Sequence, residues 1–269
     1  MHIPFISRFL TRNPRVPVIR MQGAIGMSGR AGGLNDATLA PLIERAFSRG
    51  KPVAVALAIN SPGGSPVQSS LIAARIRRLA DEKGVPVHAF VEDVAASGGY
   101  WLACAADDIW ADEASILGSI GVISAGFGFH ELIGRWGIER RVHTAGRSKS
   151  TLDPFRPENP EDVERLRNVL EPIHAAFKAH VTARRGKRLP EDRDLFTGEF
   201  WAGREAVELG LADGIGHLAP KIKELYGDKV KFSVLSPRRP LFRRLGLSAD
   251  AFLDAAEERA AFASFGARG

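Results

Sequence analysis

Serine and glycine residues at the ends of two apolar runs are the clearest candidates for chemistry in this chain. The first run ends in Asn60-Ser61-Pro62-Gly63-Gly64 and the second in Ala95-Ala96-Ser97-Gly98-Gly99. A turn that opens a helix directs backbone N–H groups and a positive helix end toward one point, which suits an oxyanion. The hydroxyl of Ser97 would lie uncovered beside the Gly98 N–H, and Gly63 or Gly64 could supply a second donor.

The residues around these turns alternate between strand and helix patterns. Continuous apolar runs are typical of buried parallel strands, and apolar residues at i, i+3 and i+4 indicate helices. Taken alone, each turn could be only a tight strand-to-helix connection, but the alternation favours a layered α/β domain with parallel strands. Strands are predicted at 16–19, 52–59, 85–91 and around 109–110, and helices at 37–47, 67–79 and 100–106.

The second half of the chain has weaker patterns. A charged, proline-rich segment that contains Lys149 and Asp153 predicts a surface loop, and helical spacing resumes over 163–184 and 203–209. A further strand is predicted at 230–235 and a helix at 249–262. We therefore divide the chain into an N-terminal arm (1–14), a core domain (15–220) and a basic C-terminal extension with a helix (221–269).

Composition limits the possible functions. The net charge is +6, but the basic clusters at 184–188 and 238–244 lack interleaved aromatic residues, so we expect no nucleic-acid partner. Cys104 is the one cysteine, which excludes an internal disulfide and a multi-cysteine zinc site and favours a reducing, cytoplasmic compartment. The apolar residues 3–10 are too few to span a membrane, and they are either a docked arm or a peripheral contact at the inner face of the membrane.

Four motifs together resemble those of a known enzyme family. The stretches Ile59–Gly64 and Ala95–Tyr100 are similar to motifs of the ClpP and crotonase superfamily, while Gly118–Val122 and Gly146–Ser150 narrow the resemblance to the signal peptide peptidase A family. The resemblance covers roughly residues 15 to 220. It implies a ClpP/crotonase-like α/β fold, a spiral of strand-strand-helix units with a mostly parallel sheet, followed here by a C-terminal helical extension.

The same resemblance assigns roles to individual residues. It implies that Ser97 is the nucleophile, that Lys149 is the general base and that Ser119 orients the lysine amine. The implied activity is ATP-independent cleavage of hydrophobic peptides, such as remnant signal peptides, through an acyl-enzyme and without a cofactor or metal. The implied oxyanion hole consists of the amides of Gly64 and Gly98, with Gly63 shaping the turn.

A lysine base at neutral pH must lie where water is excluded. The sequence neighbours of Lys149 are polar, so the pocket must come from elsewhere in the fold or from another subunit. The resemblance favours the second source, because family members assemble as homo-oligomeric rings in which the Ser/Lys dyad can be completed across a protomer boundary. Without the resemblance, Lys149 would be interpreted as an exposed loop lysine.

Other catalytic arrangements fit the sequence less well. Serine hydrolases often use histidine as the base, and the candidates are His88, His130 and His143. The ClpP-type position after the nucleophile helix corresponds to 119–124, which contains no histidine. Two alternative functions remain open: a crotonase-like acyl-CoA enzyme, which needs neither Ser97 nor Lys149, and a noncatalytic membrane-associated scaffold.

Overall fold

Strands and helices alternate along the part of the chain that the computed structural model describes, which comprises residues 13–26, 34–237, 259 and 262–265. Most of the predicted helix at 249–262 and nearly all of the N-terminal arm (1–14) lie outside these residues. The strands are β1 (Arg15–Gln22), β2 (Val55–Ser61), β3 (Val87–Ala96), β4 (Asp108–Ala111), β5 (Ile116–Gly118), β6 (Phe200–Ala202), β7 (Gly214–Ile215) and β8 (Lys231–Leu235). The helices are α1 (Asp36–Ser48), α2 (Pro66–Lys83), α3 (Gly98–Ala103), α4 (His130–Arg135), α5 (Pro160–Arg185), α6 (Gly203–Glu208) and α7 (Leu218–Tyr226), with a 3-10 turn at Gly186–Arg188.

All eight strands belong to one sheet. Its main path is β6-β5-β3-β2-β1-β8, and β4 pairs with β3 and β7. Only β5 and β6 run antiparallel among these described strands. The predicted α/β architecture with a mostly parallel sheet is therefore confirmed. Because β3 pairs with β4 along its first half and with β5 along its second, the sheet divides where β3 approaches its carboxyl end.

Strand β8 extends the sheet beyond residue 220, where the sequence predicted the core to end. It pairs in parallel with β1, from Arg15 opposite Lys231 to Ile19 opposite Leu235. On the way to β8, Ile222 of α7 is fully buried and packs with Val16 and other residues of the second face of the sheet. The described residues on both sides of 220 thus share one sheet, although the assignment of separate domains stays a prediction.

Helices α1 and α2 pack against each other and against one face of the sheet. Asn35 caps α1 by accepting a hydrogen bond from the Thr38 N–H at 2.9 Å, and Gly84 ends α2 in the left-handed conformation with φ 60°. The two helices are joined by Arg75, which donates to both carboxylate oxygens of Asp36 at 2.8 Å and thereby lowers the pKa of that carboxyl. The buried side of α2 consists of apolar and small residues at helical spacing: Ser69, Ile72, Ala73, Ile76, Leu79 and Ala80.

Residues 122–159 lie between β5 and α5 and contain α4. We call this segment the arm; it is distinct from the N-terminal arm (1–14). Apolar side chains of the arm are largely exposed, including Ile123 (85%), Phe127 (80%) and Trp136 (76%). Helix α5 follows the arm, and its buried residues lie only in its second half, from Phe177 onward. The arm and the beginning of α5 therefore project from the core with an apolar surface.

Candidate active site

Ser97 lies where β3 ends and α3 begins, in a backbone conformation that is rare for residues with a side chain. Its φ is 51° and its ψ is −121°, a combination that costs on the order of 1–3 kcal/mol. Pairing with the neighbouring strand holds it there, because the Ser97 N–H donates to the Gly118 carbonyl at 2.8 Å. The side chain makes no capping hydrogen bond to α3, and the residue is partly exposed. The strained turn thus leaves Ser97 partly exposed, although the helix α3 that follows it is buried.

The loop after β2 packs directly against this turn. Gly63 has φ 103°, and a Cβ placed there would lie 2.8 Å from both the Gly98 nitrogen and the Ser97 Cβ. Gly64 has φ 138°, and a Cβ there would lie 2.0 Å from the Ile25 carbonyl oxygen. Only glycine fits both positions without displacing the backbone. The two turns that the sequence singled out are therefore in contact, although they lie far apart along the chain.

Hydrogen bonds fix the backbone of this loop. The Ser61 hydroxyl donates to the Gly23 carbonyl at 2.7 Å, and the Ile25 N–H donates to the Gly63 carbonyl at the same distance. The Ser65 N–H donates to the Ile25 carbonyl, also at 2.7 Å. A loop held on both sides keeps its amides in place before a substrate arrives, which is what electrostatic stabilisation of an oxyanion requires.

Ser69 supports Gly98 from behind, a role that sequence reasoning missed. A Cβ at Gly98 would lie within 2.4 Å of the Ser69 Oγ, and the Ser69 hydroxyl donates to the Ser65 carbonyl at 2.9 Å. Ser69 is completely buried. The only sequence signal was its position four residues after Ser65 at the start of α2, which does not distinguish it from an ordinary helix residue. The small serine lets α2 approach the turn at Ser97 and Gly98 closely.

Ser119 lies at the end of β5, beside the end of β3. Ala96 and Gly118 are partners in the parallel pairing of these strands, so Ser97 and Ser119 follow directly from adjacent positions. Ser119 also has a positive φ of 53°, and its N–H donates to the Glu199 carbonyl at 2.6 Å. The structure thus brings Ser119 next to the turn that carries Ser97, while its predicted effect on a lysine amine stays a prediction.

Lys149 lies apart from this group in the single chain. It is exposed, in a turn of the arm where its N–H donates to the Gly146 carbonyl at 3.2 Å. No hydrogen bond or ion pair among the described residues joins its amine to Ser97. The water-excluding pocket that the sequence analysis required is therefore not formed around Lys149 by the described part of one chain. Its predicted role needs a contribution from outside these described residues.

Arginine side chains cap the other end of α3, which sequence reasoning also missed. The Arg184 Nε donates to the Cys104 carbonyl at 3.0 Å, and its Nη2 donates to the Ala106 carbonyl at 2.9 Å. Arg77 donates to the Ala105 carbonyl at 3.1 Å. Guanidinium groups at a helix C-terminus satisfy its free carbonyls and complement its negative end. Arg184 was noticed only as part of a basic run, which gave no sign of this internal role.

The interior behind α3 disfavours ionisation of thiol and phenol groups. Burial raises the pKa of Cys104 to about 12 and raises the pKa of Tyr100 well above its usual value. The Tyr100 hydroxyl donates to the Leu211 carbonyl at 2.9 Å, and the nearby buried Arg185 pairs with Asp213 at 2.6 Å. Burial also lowers the pKa of His180, whose Nε2 lies 3.1 Å from the Trp101 carbonyl. These groups hold α3 in place rather than exchange protons near neutral pH.

The histidines considered as alternative bases lie elsewhere. His88 is buried and bound by Asp108 at 2.8 Å and by the Tyr226 hydroxyl at 2.7 Å. His130 and His143 belong to the arm. None of the three has a described contact with Ser97, so the structure favours none of them as its base.

Comparison with known families decides the relationship of this chain. A model of Peptidase family S49 matches residues 80–230, a region that includes Ser97, Ser119 and Lys149. The chain belongs to peptidase family S49. The family resemblance inferred from the four motifs is thus confirmed, whereas the roles of the individual site residues are not tested by this match.

Two relatives of this S49 chain differ in how much of their length they share with it. A protein of Brucella melitensis biotype 1 that is named Na(+)/H(+) antiporter NhaA is 47% identical over 278 residues, which cover 96% of this chain but only 38% of the relative. The chloroplastic serine protease SPPA of Arabidopsis thaliana is 33% identical over 170 residues, covering 63% of this chain and 25% of the relative. The S49 chain thus spans well under half the length of these relatives.

A solved structure supports the fold of this S49 chain. A mutant of the 1510-N membrane-bound stomatin-specific protease matches it with a TM-score of 0.50 and 14% identity, covering 84% of this chain and 99% of the other. At this identity the similarity shows the fold alone, and it confirms the predicted ClpP/crotonase-like type. Among the described residues, no helix is both long enough and apolar enough to cross a membrane, and no group of acidic, histidine or cysteine side chains is arranged to hold a metal ion.

Proposed function

We propose that this chain is a serine peptidase in which Ser97 is the nucleophile. The observation that carries the proposal is the contact between two glycine turns around a strained serine. Gly63 approaches the Gly98 nitrogen so closely that a Cβ at position 63 would lie 2.8 Å from it. The amides of Gly64 and Gly98 are proposed as the oxyanion hole, and membership of Peptidase family S49 supports a peptide bond as the target.

The proposed reaction proceeds through an acyl-enzyme. The Ser97 Oγ attacks the carbonyl carbon of the peptide bond while its proton passes to the neutral amine of Lys149. The negative charge that develops on the carbonyl oxygen is bound by the Gly98 and Gly64 N–H groups. The protonated lysine then gives its proton to the leaving amine, and the C–N bond breaks. Water, deprotonated by the same lysine, attacks the Ser97 ester. The lysine then returns this proton to the Ser97 Oγ as the ester C–O bond breaks, which releases the second product and restores the neutral amine.

We propose that a second copy of the chain encloses the lysine. Lys149 is exposed in one chain, yet a lysine base needs a site from which water is excluded. The same arm exposes Ile123, Phe127 and Trp136, an apolar surface of the kind that protein interfaces cover. Association through the arm would bury these side chains and could bring Lys149 to Ser97 of the same or the neighbouring copy. A closed homo-oligomeric ring is the form of assembly we favour.

We further propose that the substrates are hydrophobic peptides, of which remnant signal peptides are candidates. Val67 and Leu71 are exposed by 62% and 47% on α2, which begins two residues after Gly64. Apolar side chains beside the oxyanion loop suit an apolar peptide. Peripheral contact of residues 1–14 with a membrane would bring the enzyme near such substrates, and that part of the proposal concerns residues almost entirely outside the described structure.

Labelling with a fluorophosphonate serine probe tests the proposal. The wild-type chain should form an adduct that mass spectrometry locates on Ser97. The Ser97→Ala variant should show none, and Lys149→Ala should label at least about 10²-fold more slowly, as expected for loss of a general base. Adduct formation that persists in Ser97→Ala would refute the nucleophile, and unchanged labelling of Lys149→Ala would refute the base. Ser48→Ala, at the exposed end of α1, is the matched control.

A further inference from the structure

One carboxylate of the arm is buried although most of the residues around it are exposed. The side chain of Asp153 is only 3% exposed, whereas the acidic side chains of Glu131 and Glu139 in the same arm are 72% and 70% exposed. Burying a carboxylate is unfavourable unless donors satisfy its oxygens. The burial of Asp153 on a projecting arm therefore requires hydrogen-bond donors within the arm.

Donors from three parts of the arm converge on this carboxylate. The Arg140 Nε lies 3.0 Å from both oxygens, and the Ser150 hydroxyl donates to Oδ2 at 3.2 Å. The Phe155 N–H donates to Oδ1 at 3.1 Å. Burial by itself would raise the pKa of Asp153, but these hydrogen bonds and the Arg140 charge lower it overall, so the group is ionised at neutral pH. An ionised carboxylate can accept from all of these donors at once.

The two residues after Asp153 extend the same junction. The Phe129 N–H, at the start of α4, donates to the Pro154 carbonyl at 2.6 Å. The Phe155 ring lies 5.7 Å from the Phe129 ring and 5.0 Å from the Arg140 guanidinium carbon. Asp153, Pro154 and Phe155 therefore form a junction at which the entry to α4, the chain around Arg140 and the turn before it meet.

The turn that this junction holds is the one that carries Lys149. Ser150, a direct donor to Asp153, is the next residue after the lysine. The turn also contains Leu152 in the left-handed region with φ 55°, a conformation that is uncommon for a branched side chain and persists only where neighbours impose it. The Leu152 N–H donates to Asp162 Oδ2 at 3.3 Å, which ties the turn to the first residues of α5. The position of the lysine backbone thus depends on the Asp153 junction.

We propose that Asp153 is a positioning residue that fixes the turn carrying Lys149 so that its amine reaches the nucleophile in the assembled enzyme. This inference rests on the proposed function, because it assigns to Asp153 an effect that acts through the lysine base. Asp153 is not proposed to touch the substrate or to transfer a proton. Its carboxylate accepts the hydrogen bonds that keep the turn in one shape.

The test measures probe labelling and peptide turnover for Asp153→Asn, alone and combined with Lys149→Ala. An asparagine keeps one acceptor oxygen but replaces the other with a donor, so it cannot accept from both Ser150 and the Phe155 N–H, which donate to different oxygens of Asp153. We expect Asp153→Asn to lower kcat and the labelling rate at least about 10-fold with KM changed less than about 2-fold. In the Lys149→Ala background it should change the residual labelling rate by less than about 2-fold, because the group through which it acts is gone.

Glu139→Gln is the matched control, since it neutralises an exposed carboxylate of the same arm that pairs with Arg141. It should label as the wild type does. Equal losses from Asp153→Asn in both backgrounds, labelling within about 2-fold of wild type, or a changed sedimentation coefficient would overturn the positioning role. Full labelling of Lys149→Ala would refute the lysine base itself. If Lys149→Ala is inactive but Asp153→Asn labels as the wild type does, only the positioning role of Asp153 is refuted.

Discussion

The two halves of the candidate dyad lie in regions with opposite physical character. Ser97 is set in a turn between buried elements, where Gly98, Gly99 and the first residues of α3 are inaccessible to water. Lys149 lies on an arm whose large apolar side chains are exposed, Trp136 by 76%. Within the described residues, one chain therefore forms the turn of the proposed nucleophile together with the glycine amides beside it, but it leaves the proposed base exposed to solvent.

This difference indicates how activity could depend on assembly. Folding of a single chain already fixes the turn of the proposed nucleophile, so this turn is preorganised in each copy. The arm gains its packing only when another surface covers it. A peptidase built in this way would be inactive as a single chain and active when associated. Variants of either region should therefore differ in whether they alter stability, assembly or catalysis.

The largest effect is expected from Lys149→Arg, which keeps the positive charge of the arm. A guanidinium group cannot act as a base at neutral pH, so peptide turnover should fall by about 10³-fold. Lys149 is exposed within one chain and arginine keeps its charge, so the melting temperature and the sedimentation coefficient should be unchanged. Calorimetry, sedimentation velocity and a peptide cleavage assay measure the three quantities. Turnover near the wild-type rate would remove the lysine from the mechanism.

Gly64→Ala addresses the core side of the comparison. Its Cβ would lie 2.0 Å from the Ile25 carbonyl oxygen at a φ of 138°, so the loop must move or unfold locally. We expect the free energy of unfolding to fall by about 2–3 kcal/mol, measured by urea denaturation, together with loss of probe labelling.

Gly134→Ala in α4 is the control for that substitution. A Cβ there would meet nothing within 4 Å, and alanine favours a helix over glycine by about 1 kcal/mol. This variant should be as stable as the wild type or slightly more so. If both glycine variants behaved alike, the claimed contrast between a packed core turn and an open arm would be wrong.

Replacing apolar residues of the arm should affect assembly and not folding. Trp136→Ser with Ile138→Ser removes side chains that are exposed by 76% and 59% in one chain. We expect dissociation to smaller species in sedimentation velocity and at least about 10-fold lower turnover at the same protein concentration.

Val234→Ser, at an exposed position of the edge strand β8, is the control for this variant. It tests whether replacing any exposed apolar residue causes dissociation. It should leave the assembly and turnover unchanged. An intact oligomer in the arm double variant, or dissociation of Val234→Ser, would contradict the assignment of the arm as the interface.

The smallest effect concerns the dry interior behind α3. The ordinary pKa of a cysteine thiol is 9.0, and burial raises that of Cys104 to about 12. Between these values the unfolded chain loses a proton that the folded chain keeps, so stability is lost as pH rises from 9 toward 12, by up to about 1.4 kcal/mol per pH unit. Tyr100 adds to this loss above pH 10.

Urea denaturation at pH 8 to 10.5 measures this slope, and Cys104→Ala should reduce it. The thiol should also react with a disulfide reagent at pH 8 only after unfolding, since the reactive species is the thiolate. Rapid reaction of the native protein would show that the interior behind the nucleophile helix is open to water.

The sequence by itself determined many of the local elements and predicted a glycine turn around Ser97. Apolar runs and helical spacing predicted β2, β3, α1 and α2, because burial of one face is a property that the order of residues encodes directly. The glycines around Ser97 predicted a turn with free amides for the same local reason. Four motifs in order were enough to identify the family.

Only the tertiary structure decided how these pieces combine. The contact between Gly63 and Gly98, the left-handed φ of Ser97 and the pairing of β8 with β1 depend on segments far apart in the chain, and no local pattern reports them. The sequence predicted a surface loop around Lys149, but only the structure showed that Lys149 itself is exposed, since a polar neighbourhood in sequence is also compatible with burial by distant residues. Local periodicity specifies which surfaces seek cover, whereas the closure of the whole fold decides which of them find it within one chain.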